Sequence, residues 1–173
     1  MSPRVVLIGA MGAGKTTVGG LLADAWGVGF RDTDHDVETT TGRAISDIFV
    51  EDGEATFRSL ERDAVATALA EHDGVLALGG GAVLDPTTQA LLEGHHVVYL
   101  EVGLADASQR VGLGVSRPML LGNVRGRVKQ LLDERAPIYR RLASITVNTD
   151  GRSADAVASD VRAAIEGKDG THE

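Results

Sequence analysis

The chain has 173 residues, 43% of them hydrophobic and 24% charged, with a formal net charge of −8 and no cysteine. That length fits one domain with a substantial core, and the missing cysteines exclude disulfides and cysteine-based zinc sites, which suits a reducing cytoplasm. The acidic balance argues against a nucleic-acid surface, and no apolar segment approaches the length of a membrane span.

The first apolar run, Val5 to Ile8, is too short for a signal-peptide core and reads as a buried strand. It leads into Gly9-Ala10-Met11-Gly12-Ala13-Gly14-Lys15-Thr16, which fits G-x-x-x-x-G-K-[ST]. This loop turns successive backbone N–H groups inward around a phosphate, a geometry a Cβ often obstructs. In it, Lys15 reaches the β- and γ-phosphates and the Thr16 hydroxyl ligates Mg²⁺. Helical spacing of Val18, Leu21, Leu22, Ala25 and Trp26 predicts a helix over Lys15 to Trp26, so the phosphates sit at a helix N-terminus. The chain therefore grips a nucleoside triphosphate.

A second strand is predicted over Phe30 to Asp32, followed by helices over Asp34 to Thr41, Ile45 to Val50 and Glu54 to Ala70. Asp32-Thr33-Asp34 falls at the carboxyl end of that strand, where open parallel sheets bind ligands, with both carboxylates on one side of an extended segment. One carboxylate near Mg²⁺ and one near an acceptor hydroxyl would divide the work of a phosphoryl transferase. Acidic residues before a helix are also common N-caps. Arg58 and Glu61 share a helix face with Phe57 beside them, and Phe49 precedes on the shorter helix. These four either line a small acceptor pocket or form an intrahelical ion pair with core aromatics.

The third strand, Val75 to Leu78, runs into Gly79-Gly80-Gly81, where backbone can approach a ligand closely or simply turn. This strand ends in glycine where many phosphate-loop proteins carry a metal-associated carboxylate, which leaves Asp32 as the candidate. Then come a helix over Pro86 to Leu92, a strand over Val97 to Leu100, helices over Ala105 to Arg110 and Arg125 to Leu142, a strand over Ile145 to Val147, and a helix over Ser153 to Ile165. The alternation predicts a three-layer α/β/α domain on a parallel sheet. Between two helices, Val111 to Pro118 holds Gly112, Gly114 and Pro118 around Arg117 and reads as a lid over the phosphates, against an ordinary surface connection. Arg110, Arg117, Arg125, Arg127, Arg135, Arg140 and Arg141 concentrate positive charge nearby. The five histidines show no metal spacing, and the tail from Gly167 to Glu173 is polar and expected to fray.

Taken in order and spacing, these motifs resemble those of shikimate kinases, especially the actinobacterial type, over nearly the whole chain. The resemblance rests on GAMGAGKT, Asp32-Thr33-Asp34, Gly42 to Phe49, Gly53 to Arg58, Leu78 to Gly81, Arg117-Pro118-Met119-Leu120 and Arg135-Ala136-Pro137-Ile138-Tyr139. It implies a monomeric, Mg²⁺-requiring kinase that transfers phosphate from ATP to the 3-hydroxyl of shikimate in chorismate biosynthesis, giving shikimate 3-phosphate and ADP. The implied fold is that of nucleoside monophosphate kinases, with five parallel strands, a substrate-binding helical region and a lid over about residues 111–123.

Carried onto this sequence, Gly12, Ala13, Gly14, Lys15, Thr16 and Thr17 hold ATP, and Thr16 with Asp32 holds Mg²⁺. Asp34 contacts the acceptor and serves as base. Arg58, Arg135 and Gly79, Gly80 and Gly81 hold the acceptor, with Ile45, Phe49, Phe57 and Glu61 in the same region. Arg117 approaches the phosphates from the lid, Arg110 starts the lid, and Arg152 falls where the family contacts adenine. The lid departs from many family members in being glycine-rich and apolar. The alternatives are a kinase of another small polyol acid such as gluconate, and a nucleotide-binding module without catalysis. No guanine-reading Asn-Lys-x-Asp segment is present.

Overall fold

In the computed structural model, which describes residues 2–107 and 124–169, the predicted strands form one five-stranded sheet. They are β1 (Val5–Ile8), β2 (Phe30–Asp32), β3 (Val75–Ala77), β4 (Val97–Glu101) and β5 (Ile145–Asn148), in the order β2-β3-β1-β4-β5. Every pairing is parallel, with Val5 opposite Val75, Val6 opposite Val97, Phe30 opposite Val75 and Val98 opposite Ile145.

The central strand explains why its sequence is an unbroken apolar run. Alternate side chains of a strand face opposite sides, and both sides here are covered. Val5 and Leu7 enter a core with Val18, Leu22, Val157 and Val161, whereas Val6 and Ile8 enter another with Val65, Leu69, Tyr99 and Tyr139. The first core lies against α1 (Lys15–Trp26) and the C-terminal helix Ala154–Asp169; the second lies against Glu54–Glu71 and Val124–Leu142. With α2 (Thr33–Thr41), α3 (Ile45–Glu51) and α5 (Pro86–Leu91), these helices are numbered α1 to α7 in chain order, so that α4 is Glu54–Glu71, α6 is Val124–Leu142 and α7 is Ala154–Asp169. A third cluster of Val37, Ile45, Ile48 and Phe57 joins α2, α3 and α4 to one another beside the sheet.

Two expectations need correction. Helix α2 begins at Thr33, so Asp34 lies in its first turn and the two aspartates do not share an extended segment. Helix α7 runs on to Asp169, because nothing between Ile165 and Asp169 breaks its hydrogen-bond ladder; the polar composition of Gly167 to Asp169 does not unwind it. A short 3₁₀ turn, Ala82–Leu84, follows the triple glycine and had no periodic signal. The expected lid, with Arg110 and Arg117, lies outside the described residues. Only the start of the helix predicted over Ala105 to Arg110 is described, as a turn from Leu104 to Ala107.

Candidate active site

The carboxyl ends of β1, β2 and β3 lie side by side, and a cavity of about 430 Å³ opens beyond them. Each strand delivers a different part of its lining. From β1 comes the loop to α1, whose N-cap Gly14 has φ 92, in the left-handed region that favours glycine. Thr16 and Thr17 are exposed at the cavity, and Lys15 is half-buried there. The Lys15 ammonium is folded back on its own loop, donating to the carbonyls of Gly9 at 2.6 Å and Ala10 at 3.0 Å.

From β2 comes Asp32, which does two things at once. Its carboxylate caps α2 by accepting the Asp34 N–H at 2.8 Å, and it lines the cavity. Burial pushes the Asp32 carboxyl above the usual range and the neighbouring Asp34 charge adds to that; the Asp34 N–H and the Lys15 charge pull the other way. Two carboxylates and one ammonium thus share a single electrostatic neighbourhood.

From β3 comes the triple glycine. A Cβ on Gly79 would stand 2.6 Å from Asp34 Oδ1 and 3.0 Å from Glu61 Oε2, and a Cβ on Gly81 would strike the Arg58 guanidinium. The glycines are therefore needed where acidic and basic side chains from α2 and α4 close on the strand end. Backbone and side chains from elsewhere hold this turn, with Thr33 Oγ1 accepting the Gly79 N–H at 3.2 Å and Tyr139 donating to the Gly80 carbonyl at 2.5 Å.

On α4, Arg58 donates to Glu61 at 2.8 Å, with the arginine side chain 21% exposed and the glutamate 4%. Burial pushes the Glu61 carboxyl up, and the Arg58 charge and hydrogen bond oppose that shift. The ion pair and the pocket are both realised, since Phe57, Arg58, Glu61 and Phe49 all line the cavity. The two phenylalanine rings stand 4.8 Å apart. Across the cavity, α6 presents Val128, Leu131, Leu132 and Arg135 at helical spacing. The loop before α1, the carboxylate of Asp34 and the guanidinium groups of Arg58 and Arg135 thus line one cavity, a set that can bind anionic groups.

A family model for shikimate kinase matches residues 11–166. The shikimate kinase of Thermobifida fusca is 58% identical over 156 residues, 90% of this chain and 91% of that protein. The chain belongs to the shikimate kinase family. That of Salinispora arenicola is 57% identical over 165 residues, 95% of this chain and 99% of that protein. Among solved structures, shikimate kinase from Acinetobacter baumannii in complex with shikimate matches with TM-score 0.92 at 35% identity, covering 97% of this chain and 94% of the other. Thymidylate kinase from Candida albicans, at 16% identity and TM-score 0.58, shares the fold alone. The chain is thus an ATP-using kinase of the aromatic amino-acid pathway.

The structure brings most of the residues expected for a shikimate kinase to this cavity. Gly12, Gly14, Lys15, Thr16, Thr17, Asp32, Asp34, Phe49, Phe57, Arg58, Glu61, Gly79, Gly80, Gly81 and Arg135 line it. Ala13 is buried behind the loop, and Ile45 lies beneath the wall, packed with Val37, Ile48 and Phe57 while its N–H donates to Glu38. Arg152 stands apart from the lining, paired with Asp160 at 2.7 Å and donating to the carbonyls of Asn148 and Ala156. Residues the sequence reading missed are Met11, His35 and Glu38 on the walls and Thr33 and Tyr139 behind the triple glycine. The 3.6-residue spacing of Val128, Leu131, Leu132 and Arg135 was a signal for the α6 wall; Thr33 and Tyr139 had none beyond their place in motifs. Among the described residues, no three His, Cys, Asp or Glu side chains form a metal-holding group, and no helix is long and apolar enough to cross a membrane.

Proposed function

We propose that the chain transfers the γ-phosphoryl group of ATP to the 3-hydroxyl of shikimate, giving shikimate 3-phosphate and ADP. The observation that carries this reading is the single cavity in which the phosphate loop, Asp34 and the guanidinium groups of Arg58 and Arg135 meet. Arg58 and Arg135 grip the acceptor carboxylate, since a planar guanidinium can donate two parallel hydrogen bonds to it. Asp34 accepts the proton of the 3-hydroxyl as its oxygen bonds to the γ-phosphorus and the bond to the β–γ bridging oxygen breaks. Lys15 leaves the carbonyls of Gly9 and Ala10 to follow the charge on the phosphates.

Asp32 and Thr16 supply hard oxygen donors, and burial with the neighbouring Asp34 charge holds the Asp32 carboxyl above its usual range. That donor set suits Mg²⁺ held jointly with nucleotide oxygens, because two protein ligands alone do not make a cation cage. When bound, Mg²⁺ neutralises charge on the β- and γ-phosphates. Arg110 and Arg117 are assigned to the nucleotide side from the sequence. Arg152 reaches adenine only by giving up Asp160.

An ADP-release assay run with shikimate, with gluconate and with no acceptor tests the reading. Release only with shikimate is expected; acceptor-independent or gluconate-dependent release would overturn it. We assign a cytoplasmic monomer; the monomer is supported by the exposed large apolar side chains among the described residues, Val50, Leu84 and Leu91, which fall on three different elements. Light scattering on the eluted protein checks the mass.

A further inference from the structure

Tyr139 is fully buried and lies behind the cavity rather than in its lining. Its ring stacks on Tyr99 at 5.0 Å between centroids and 29° between planes. For packing alone, phenylalanine would fill the same space, and a buried hydroxyl is costly unless it is bonded. This hydroxyl donates to the Gly80 carbonyl at 2.5 Å.

One helical turn earlier on α6 stands Arg135, whose charge opposes the rise that burial gives the phenol. Arg135 Nη1 also lies 3.6 Å from where a Cβ on Gly80 would sit. The same Gly80 position is 3.5 Å from the Met11 nitrogen and 3.6 Å from the Gly9 carbonyl oxygen, so the turn rests on the phosphate loop. The buried hydroxyl and the Arg135 guanidinium therefore converge on Gly80, in the turn that abuts the phosphate loop.

We propose that Tyr139 is a positioning residue: its hydroxyl holds the Arg135 guanidinium and the Gly80 carbonyl at one spacing, and so sets where the acceptor carboxylate is gripped relative to the phosphate loop. Burial pushes the phenol up to about 12, so it remains a donor throughout the neutral range. The proposal rests on the assignment of Arg135 to the acceptor carboxylate.

Tyr139→Phe keeps the stacked ring and removes the hydroxyl alone. The KM for shikimate is expected to rise about tenfold while the KM for ATP stays within about twofold. Arg135→Ala by itself tests the underlying assignment, because an unchanged shikimate KM there would remove Arg135 from the acceptor site whatever Tyr139 does. In the Arg135→Ala background, Tyr139→Phe should cost less than about twofold, since no guanidinium is left to position. A lowered melting temperature with an unchanged shikimate KM would make Tyr139 a packing residue only, and an equal penalty in both backgrounds would show that it does not act through Arg135.

A second measurement does not depend on the phenylalanine variant folding. The chain has two tyrosines, so Tyr99→Phe leaves Tyr139 as the single site for incorporated 3-fluorotyrosine. Its fluorine resonance should shift on saturation with shikimate and hold still with ATP alone. A resonance that shikimate leaves unmoved would overturn the proposal.

Discussion

The two halves of the cavity are built in different ways. The part proposed to grip the phosphates is one consecutive stretch, Gly9 to Thr17, running from the end of β1 into α1, and its lysine is held by carbonyls five and six residues away. The part proposed to hold the acceptor is assembled from α2, α4, the turn after β3 and α6; its Gly79 N–H reaches Thr33 across 46 positions, and Gly80 is held from Tyr139 across 59. A loop that carries its own geometry depends on local backbone chemistry, whereas an assembled pocket depends on the packing of every element that contributes to it. Substitutions should therefore separate the halves cleanly, except at Asp34, which stands close to both Asp32 and Glu61.

The largest effect is expected where the halves meet. Asp34→Asn should lower turnover by about 10³-fold, the loss of a positioned base, while nucleotide affinity stays near wild type. Steady-state turnover with titration of an ATP analogue checks this, and wild-type turnover across pH would remove Asp34 from the chemistry. Within the nucleotide half, Lys15→Met should lower turnover by about 10²-fold or more with shikimate binding retained. Lys15 is half-buried and bonded to its own loop, so a modest fall in melting temperature should accompany the change.

Within the acceptor half, Arg58→Ala should weaken shikimate binding by about 2 kcal/mol, the lower end for breaking a buried charged pair, because its side chain is 21% exposed. Equal weakening of nucleotide and shikimate, measured by calorimetry, would erase the distinction between the halves. Gly79→Ala is a gentler probe of the same wall. Its added methyl group would displace the Asp34 carboxylate, and turnover should fall about tenfold without loss of nucleotide binding.

The smallest effect concerns stability against pH. Glu61 has a carboxyl pushed up by burial, so the folded chain holds its proton more tightly than the unfolded chain does. That contribution is fully present below the ordinary glutamate value and is lost as pH rises through the raised value. Wild type should therefore gain stability relative to Glu61→Gln as the pH is lowered through this window. Melting curves that stay parallel would show that burial does not govern Glu61.

Much of this molecule was legible as a string. The apolar run Val5 to Ile8 and the glycine-lysine loop follow from steric and electrostatic demands that act within a few residues, so strand, loop and helix appear where periodicity places them. Asp32 was legible both as a metal-side candidate and as a helix cap, and it is a cap that faces the cavity. Asp34 was legible as a cavity residue but not in its geometry, because the Asp32 cap draws the helix start back to Thr33. Ile45 belonged to the right motif, yet the motif does not say which of its apolar residues turns toward the cavity and which toward the core.

By itself the sequence determined the phosphate-loop pattern, the alternating sheet and helices, and most of the residues that come to line the cavity, since residue type, spacing and motif order suffice for these. Only the tertiary structure decided that Arg58 and Glu61 are at once an ion pair and a pocket wall, that they come so close to Gly79 and Gly81 that a Cβ there would strike them, and that Thr33 and Tyr139 hold the turn in place. The physical reason is range. A loop or helix is specified by neighbours a few positions away, but a hydrogen bond from α6 to the end of β3 exists only after the sheet has set its register and both faces have been packed.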